Sequence, residues 1–250
     1  MWRYAEHTEA GSTHHRAFWE ALDEALTEEQ HRRIGPGGDL RGIWEAESSE
    51  LQPKPPATAP VKREANPLMV PWYSQRDSGT DQALRMCFSS SCAMLLEYLQ
   101  HGTLKGANGD DQYLRRVQRF GDTTDAAAQL QALNSYGVKA RFVQDGDFGL
   151  IEQQIRRGVP VPCGYIHRGP VDRPRGGGHW LIVVGTTAKG VIVHDPWGEA
   201  DLITGETLNR PARFCEYSRQ NFGKRWMVQP VGGGVYRYAP KNGWAIVAEP

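Results

Sequence analysis

The stretch that decides the fold of this chain is RMCFSSSCAMLL, residues 85–96. A polar loop turns into a helix at Cys87, and the apolar residues that follow would press this helix into the core. Unpaired backbone N–H groups and the positive end of the helix dipole favour negative charge at a helix start. Because the thiolate is the nucleophilic form of cysteine, the position predicts that Cys87 is a nucleophile.

The overall composition excludes several classes of protein. The chain has 250 residues, with 29 basic and 29 acidic side chains, so no net field draws it to nucleic acid or anionic lipid. No nucleic-acid-binding motif occurs, and no apolar run approaches the roughly 20 residues of a membrane span. The first residues contain no apolar signal segment, which predicts synthesis in the cytoplasm without a standard secretion signal.

Composition shifts divide the chain into three parts. Residues 1–46 carry an amphipathic helical pattern and form a predicted N-terminal helical segment. Residues 47–66 are rich in proline and polar residues, which is typical of a semi-rigid linker. Residues 67–250 form the predicted main domain. The N-terminal segment is too small to bury much surface alone, so we expect it to dock on the main domain or on a partner.

The main domain reads as helices followed by strands, the α+β layout. After an edge strand at residues 68–73, the sequence predicts helices at 87–100, 110–119, 125–136 and 148–157, the third capped by Thr123 or Thr124. It then predicts strands at 159–166, 180–185, 190–194, 226–229 and 244–247, which close an antiparallel sheet.

His179 and Asp195 form the second informative pair. The strands at 180–185 and 190–194 are joined by a tight turn, and antiparallel residues equally distant from a turn face each other. His179 is therefore predicted to pair with Asp195 at the open end of this hairpin. A carboxylate beside an imidazole holds its ring and tautomer, as a general base requires. We predict His179 as the base and Asp195 as its orienting group.

The remaining cysteines and histidines are predicted to be structural. Four cysteines occur, none in a CxxC pair, so we predict free thiols, no metal site and no cofactor. Cys92 lies about 140° round the helix from Cys87 and is predicted to pack in the core, as are Cys163 and Cys215. His194 points to the opposite face from Asp195, and His167 and His101 read as surface residues.

Several segments resemble the papain-like C39-like cysteine peptidases. Residues 70–75, VPWYSQ, are similar to that family's opening strand and glutamine. Residues 87–94, CFSSSCAM, resemble its cysteine-led helix. Residues 178–185, GHWLIVVG, and 194–198, HDPWG, resemble its histidine and aspartate strands. The motifs stand in the family's order, and the resemblance covers roughly residues 68–196.

The resemblance implies a papain-like fold, in which an N-terminal helical lobe packs on an antiparallel sheet. It implies that Cys87 attacks, His179 acts as base and Asp195 orients the base. Gln75 matches the family's oxyanion-stabilising glutamine, although it lies further from the cysteine than is usual. Gln82, five residues ahead of Cys87, has the more familiar spacing, so both glutamines stay open as the oxyanion donor.

The chain departs from the family's usual pattern on both sides of the nucleophile. Phe88 follows Cys87 where glycine is usual, and Met86 precedes it where aspartate is more common.

A basic, glycine-rich tract at residues 164–178 precedes His179. We expect it to form one wall of a substrate cleft, with an arginine that pairs with a substrate carboxylate; a solvated loop is the alternative. Two tryptophans flank the predicted site and either stack on the substrate or pack in the core. The candidate substrate-binding residues are Arg168, Arg173, Arg175, Trp180 and Trp197.

The resulting functional hypothesis is a cysteine hydrolase of amide bonds. The resemblance implies peptidase activity, and family members that have a small extra module instead of a transporter are often cell-wall-directed or phage-associated. We therefore expect a peptide substrate, in peptidoglycan or a protein, and a protein that is virion-associated or released to act on the cell wall. The alternatives are a non-catalytic structural or interaction module, and an amidase or transglutaminase-like acyl transferase.

Overall fold

The computed structural model of this chain describes residues 66–249. The N-terminal helical segment predicted for residues 1–46 and all but the last residue of the predicted linker lie outside the described residues. Within residues 66–249, no helix has the length and apolar character needed to cross a membrane.

The described residues form a set of helices and an antiparallel sheet, which confirms the predicted α+β class. The order is mixed, since β1 precedes the helix α4 and the helix α5 lies between β7 and β8. A short 3₁₀ helix (Gln75–Asp77) and five α-helices are present in this part of the chain: α1 (Cys87–Leu99), α2 (Gly109–Val117), α3 (Ala126–Ser135), α4 (Phe148–Arg156) and α5 (Arg219–Trp226). The strands there are β1 (Ala140–Gly146), β2 (Val161–Arg168), β3 (Arg175–Thr186), β4 (Gly190–Asp195), β5 (Ala200–Asp201), β6 (Glu206–Thr207), β7 (Ala212–Ser218), β8 (Met227–Gly232) and β9 (Val235–Ala248).

Seven strands form one antiparallel sheet, in the order β1-β9-β2-β3-β4-β7, with β8 paired to β9. The two-residue strands β5 and β6 pair separately. Residues 161–166 of β2 and 181–185 of β3 are buried without alternation. Helices α1, α4 and α5 all contact β2, and such covered strands are buried on both faces.

Helix α1 is the core helix of the fold and packs on β2 and β3. Met94, Leu95 and Leu96 are fully buried, and each contributes about 1.5–3 kcal/mol of burial free energy. Two of its buried serines bond to neighbouring helices: Ser90 donates to Asp110 Oδ2 at 2.6 Å, and Ser89 accepts from Gln129 Nε2 at 2.8 Å. The helix that begins at Cys87 is thus held by the sheet and by two other helices.

Some sequence-based expectations are wrong in detail. Residues 68–73 form no strand. Leu68 N bonds to Val184 O of the sheet at 2.7 Å, but Val70 N turns back to Leu68 O at 2.9 Å, and Pro71 has no N–H to continue the pairing. The cap of α3 is Asp125, whose carboxylate accepts from Ala127 N, not Thr123 or Thr124.

The register of the β3–β4 hairpin also differs from the prediction. Ile182 pairs with His194 and Val183 with Val193, and the register shifts before Gly185. Asp195 is therefore offset by two residues from a direct pairing with His179. Because side chains alternate with a period of two, the offset leaves both side chains on the same face of the sheet as diagonal neighbours.

A buried carboxyl between α1 and α2 makes the stability of the fold depend on pH. The side chain of Asp110 is fully buried, and burial raises its pKa from 3.8 to about 6 despite the hydrogen bond from Ser90. Since the folded-state pKa is the higher one, this group stabilises the fold most below pH 3.8, and that contribution is lost as the pH rises through about 6.

We therefore expect Asp110→Asn to gain stability relative to the parent as the pH rises from 5 to 8, by about 1.4 kcal/mol. Urea unfolding at the two pH values measures this change. Asp145→Asn, at an exposed carboxylate of β1, serves as the control. An equal effect of Asp110→Asn at both pH values would contradict the assignment.

Candidate active site

Cys87, His179 and Asp195 lie together at one open cleft of about 770 Å³. They come from the start of α1, the middle of β3 and the last residue of β4. Two of the three belong to one antiparallel hairpin, and α1 packs directly on β3. The structure therefore brings together the three residues that the sequence singled out.

Cys87 is half-buried and is the first residue of α1. Its N-cap, Met86, makes no side-chain hydrogen bond to the helix, and no acidic residue lies in the first turn. The positive end of the helix is thus not neutralised by a carboxylate of that turn, and it favours negative charge on the sulfur.

The ring of His179 lies between Asp195 and Cys87. His179 Nε2 is 2.7 Å from Asp195 Oδ1, which leaves Nδ1 for the sulfur. Burial lowers the pKa of His179, but the charges of Asp195 and Cys87 and hydrogen bonds to both raise it further, to about 10. The ring is therefore held as an imidazolium beside the sulfur at neutral pH.

Asp195 is fully buried and accepts three hydrogen bonds on its carboxylate. His179 and the backbone N–H of Trp197 (2.9 Å) bond to Oδ1, and the hydroxyl of Tyr165 donates to Oδ2 at 3.0 Å. These donors compensate the cost of burying the charge, and they fix the plane of the carboxylate that holds His179.

Tyr165 is a site residue that sequence reasoning missed. It lies directly opposite His179 in the β2–β3 ladder, and its ring meets the imidazole edge-on at a centroid distance of 5.6 Å. The signal that could have found it is the hairpin argument used for Asp195. Tyr165 and His179 are equally distant from the β2–β3 turn.

The two candidate glutamines differ in position. Gln75 is 1% exposed and lines the cleft. Its Nε2 donates one hydrogen to Ala83 O at 2.6 Å, which leaves the second amide hydrogen unused by that bond, and its backbone N donates to Pro196 O. Gln82 does not line the cleft, and its amide donates to Asp81 Oδ1 at 3.1 Å.

The five candidate substrate-binding residues separate into two groups. Arg168, Trp180 and Trp197 line the cleft, whereas Arg173 and Arg175 are exposed side chains outside its lining. The tract that carries the arginines forms the end of β2, its turn and the start of β3, so only part of the tract is a cleft wall.

Trp180 has a packing role that explains Phe88. The two rings stack with centroids 3.6 Å apart and planes within 4°. Trp180 also lies against Gly164, where an added Cβ would come within 2.8 Å of the indole. Phe88, the residue after Cys87, is therefore a packing partner of β3, the strand that carries His179.

His167 is not a surface residue as predicted but is half-buried in the wall of the cleft. Its Nδ1 lies 3.1 Å from Gly177 O, and Nε2 accepts from Arg168 Nε at 3.2 Å. Burial, followed by the charges of His179 and Arg168, lowers the pKa of His167 to about 4. His167 is thus neutral at pH 7. His101 lies on the surface, as predicted.

The other thiols lie away from the cleft. Cys92 and Cys163 are fully buried, which confirms the core prediction for both. Cys215 is only half-buried, because it lies on the edge strand β7, where its thiol points to Glu199 Oε2 at 3.4 Å. His194 is buried on the face opposite Asp195, with its ring against Phe214. No cluster of metal-ligating side chains occurs among residues 66–249.

Comparison with known proteins gives one family. The model of the peptidase C39-like family matches residues 67–227, more than half of the chain. No curated protein matches the chain.

Solved structures give distant similarities. A double-glycine-motif protease from an AMS/PCAT transporter, in complex with its leader peptide, is 16% identical; the match covers 74% of this chain and 94% of that one, with a TM-score of 0.42. The peptidase domain of Streptococcus ComA is 16% identical over 66% and 92% of the two chains, with a TM-score of 0.43. A C39-like peptidase from Bacillus anthracis is 14% identical over 72% and 100%, with a TM-score of 0.40.

We expect Tyr165→Phe to weaken the hold on Asp195 and to slow alkylation of Cys87 by iodoacetamide at pH 7. The variant removes one of three donors to a buried carboxylate, which also costs about 1–3 kcal/mol of stability. Mass spectrometry of timed samples and urea unfolding measure the two effects.

Tyr217→Phe is the matched control for this variant. Tyr217 is also buried, but its hydroxyl accepts from Ala200 N at 2.8 Å and makes no bond to Asp195. This variant is expected to lose stability without slowing the alkylation. Equal alkylation rates in both variants would refute the role assigned to Tyr165.

Proposed function

The chain belongs to the peptidase C39-like family and is a cysteine peptidase, and we propose that Cys87, His179 and Asp195 carry its reaction. The observation that carries this proposal is the geometry of His179. Its ring bonds to a buried carboxylate through Nε2 and interacts with the half-buried sulfur on its other side. A nucleophile, a base and an orienting carboxylate in this arrangement can perform acyl transfer.

In the proposed reaction, the Cys87 thiolate attacks the carbonyl carbon of a peptide bond. A C–S bond forms and the carbonyl electrons move onto oxygen. The His179 imidazolium then gives its proton to the leaving amine as the C–N bond breaks, which leaves a thioester. Neutral His179 next takes a proton from water, whose hydroxide attacks the thioester and releases the acid and the thiolate.

We propose Gln75 rather than Gln82 as the side-chain donor to the oxyanion, together with the backbone N–H of Cys87. Gln75 lines the cleft, is buried, and keeps one amide hydrogen after its bond to Ala83 O. Donors that are fixed before the reaction stabilise charge that develops in the transition state. The side chain of Gln82 is engaged with Asp81 outside the cleft.

Peptide substrates are proposed in two forms, namely the peptides of peptidoglycan and a protein. The cleft is open and has both polar and aromatic walls, which supports a peptide as its substrate. Product analysis on purified peptidoglycan separates the reaction types. Both reactions free an amino group, so the position of the cut decides. Free lactyl carboxyl groups on muramic acid, with the whole peptide released, indicate an amidase, whereas new amino groups within peptides that stay attached to muramic acid indicate an endopeptidase.

Alkylation tests the proposed nucleophile. Since the pKa of His179 is raised to about 10, the imidazolium persists beside Cys87 at pH 7 and is lost only as the pH approaches 10. We expect iodoacetamide at pH 7 to label Cys87 about 10-fold faster than half-buried Cys215, and His179→Ala to remove this advantage.

Fully buried Cys92 is the internal control and should show no dependence on His179. Equal, slow labelling of Cys87 and Cys215 in the parent would contradict the proposed active site. That result would favour a non-catalytic interaction module.

A further inference from the structure

We propose that Arg168 binds an anionic group of the substrate, so that this enzyme prefers acidic peptides. The inference rests on the proposed function, because it assigns a specificity residue to the same cleft. It follows from the charges that line the cleft and from the way in which one of them is held.

Arg168 is the cation of the cleft that lacks an acidic partner among residues 66–249. The other arginine of the lining, Arg85, is paired with Asp122 at 2.9 Å. The acidic residue of the lining, Asp195, is paired with His179. Arg168 forms no ion pair with any described residue, so its charge is available to a ligand.

The guanidinium of Arg168 is oriented before any substrate binds. Its Nε donates to His167 Nε2 at 3.2 Å, and the opposite ring nitrogen of His167 bonds to Gly177 O. The pKa of His167, lowered to about 4, keeps this ring neutral and able to accept. This contact uses Nε of Arg168 and leaves its two terminal amino groups free to bind a ligand. Two such groups can donate parallel hydrogen bonds to one carboxylate.

The backbone that carries Arg168 is also fixed, by a buried arginine behind the wall. Arg225 is fully buried and donates to the carbonyls of Ile166 (3.1 Å) and Gly169 (2.6 Å), with a longer bond to Arg168 O. A fourth bond, to Leu202 O at 2.7 Å, joins this wall to the loop beside it. Arg168 therefore extends from a rigid support, which lowers the entropy cost of binding.

Arg173 provides the matched comparison. It lies in the turn of the same β2–β3 hairpin and is exposed, but it does not line the cleft. A charge reversal there changes the net charge of the protein by the same amount as one at Arg168. Any difference between the two variants reports contact in the cleft and not long-range attraction.

The test uses charge reversal with defined peptides. Fluorescein-labelled eight-residue peptide pools carry Glu, Gln or Lys at one position in turn, among mixed Gly, Ala, Ser and Leu. Each pool is made with a free or an amidated C-terminus, which separates a side-chain carboxylate from a terminal one. Cleavage is measured with the parent, Arg168→Glu and Arg173→Glu, and binding is measured with each on a Cys87→Ala background.

For the parent, we expect Glu at one position, or a free C-terminus, to be preferred over its neutral counterpart by about 10-fold in kcat/KM, mainly through KM. Arg168→Glu should lose this preference and favour Lys at that position, whereas Arg173→Glu should behave as the parent does. A parent without charge preference, or equal effects of the two reversals, would overturn the inference.

The binding measurement separates this inference from the proposed function. Charge-dependent binding without cleavage by the parent would refute the peptidase chemistry and leave the role of Arg168 intact. Cleavage without charge preference would refute the role of Arg168 alone. If no peptide pool binds, the proposed role of Arg168 is refuted as well.

Discussion

The site depends on one hydrogen bond, the 2.7 Å contact between His179 Nε2 and Asp195 Oδ1. It joins residues that are diagonal neighbours on two adjacent strands, so the register of these strands decides whether the two side chains can meet. The carboxylate can remain charged in a fully buried position because Tyr165 and the backbone of Trp197 also donate to it. That charge in turn keeps the imidazole cationic beside Cys87. The start of α1, the register of the sheet and the hydroxyl of Tyr165 thus all help to keep the ring of His179 protonated.

The features that could be predicted from the sequence are those with a local sequence signal. The helix beginning at Cys87, and the positions of the histidine and aspartate strands, follow from periodicity and turn residues. The predicted register of β3 and β4 was off by two residues because the turn, closed by the hydrogen bond from Thr187 N to Gly190 O, is centred between Ala188 and Lys189, later in the chain than direct pairing of His179 with Asp195 requires. The conclusion held since a shift of two keeps each side chain on its face. A shift of one would have separated His179 from Asp195.

The elements that the sequence did not predict depend on contacts between residues far apart in the chain. Strands β1 and β7 carry exposed and polar residues, and they are strands because they pair with β9 and β4. Helix α5 reads as polar, yet Phe222 and Arg225 are fully buried. Gln75 is far from Cys87 in sequence, yet both residues line the cleft. The loop between them is folded, and its Ser78 and Gly79 bond to Asp111. Such pairings over 30 residues leave no local pattern.

The central claim is that His179 is an imidazolium held between a carboxylate and the sulfur of Cys87. The most direct measurement is the ¹⁵N chemical shift of the His179 ring nitrogens at pH 8, in histidine-labelled parent protein and in Cys87→Ser. The account predicts two protonated nitrogens in the parent and titration at lower pH in the serine variant, where the sulfur's charge is absent. A neutral ring in the parent at pH 8 would contradict the account.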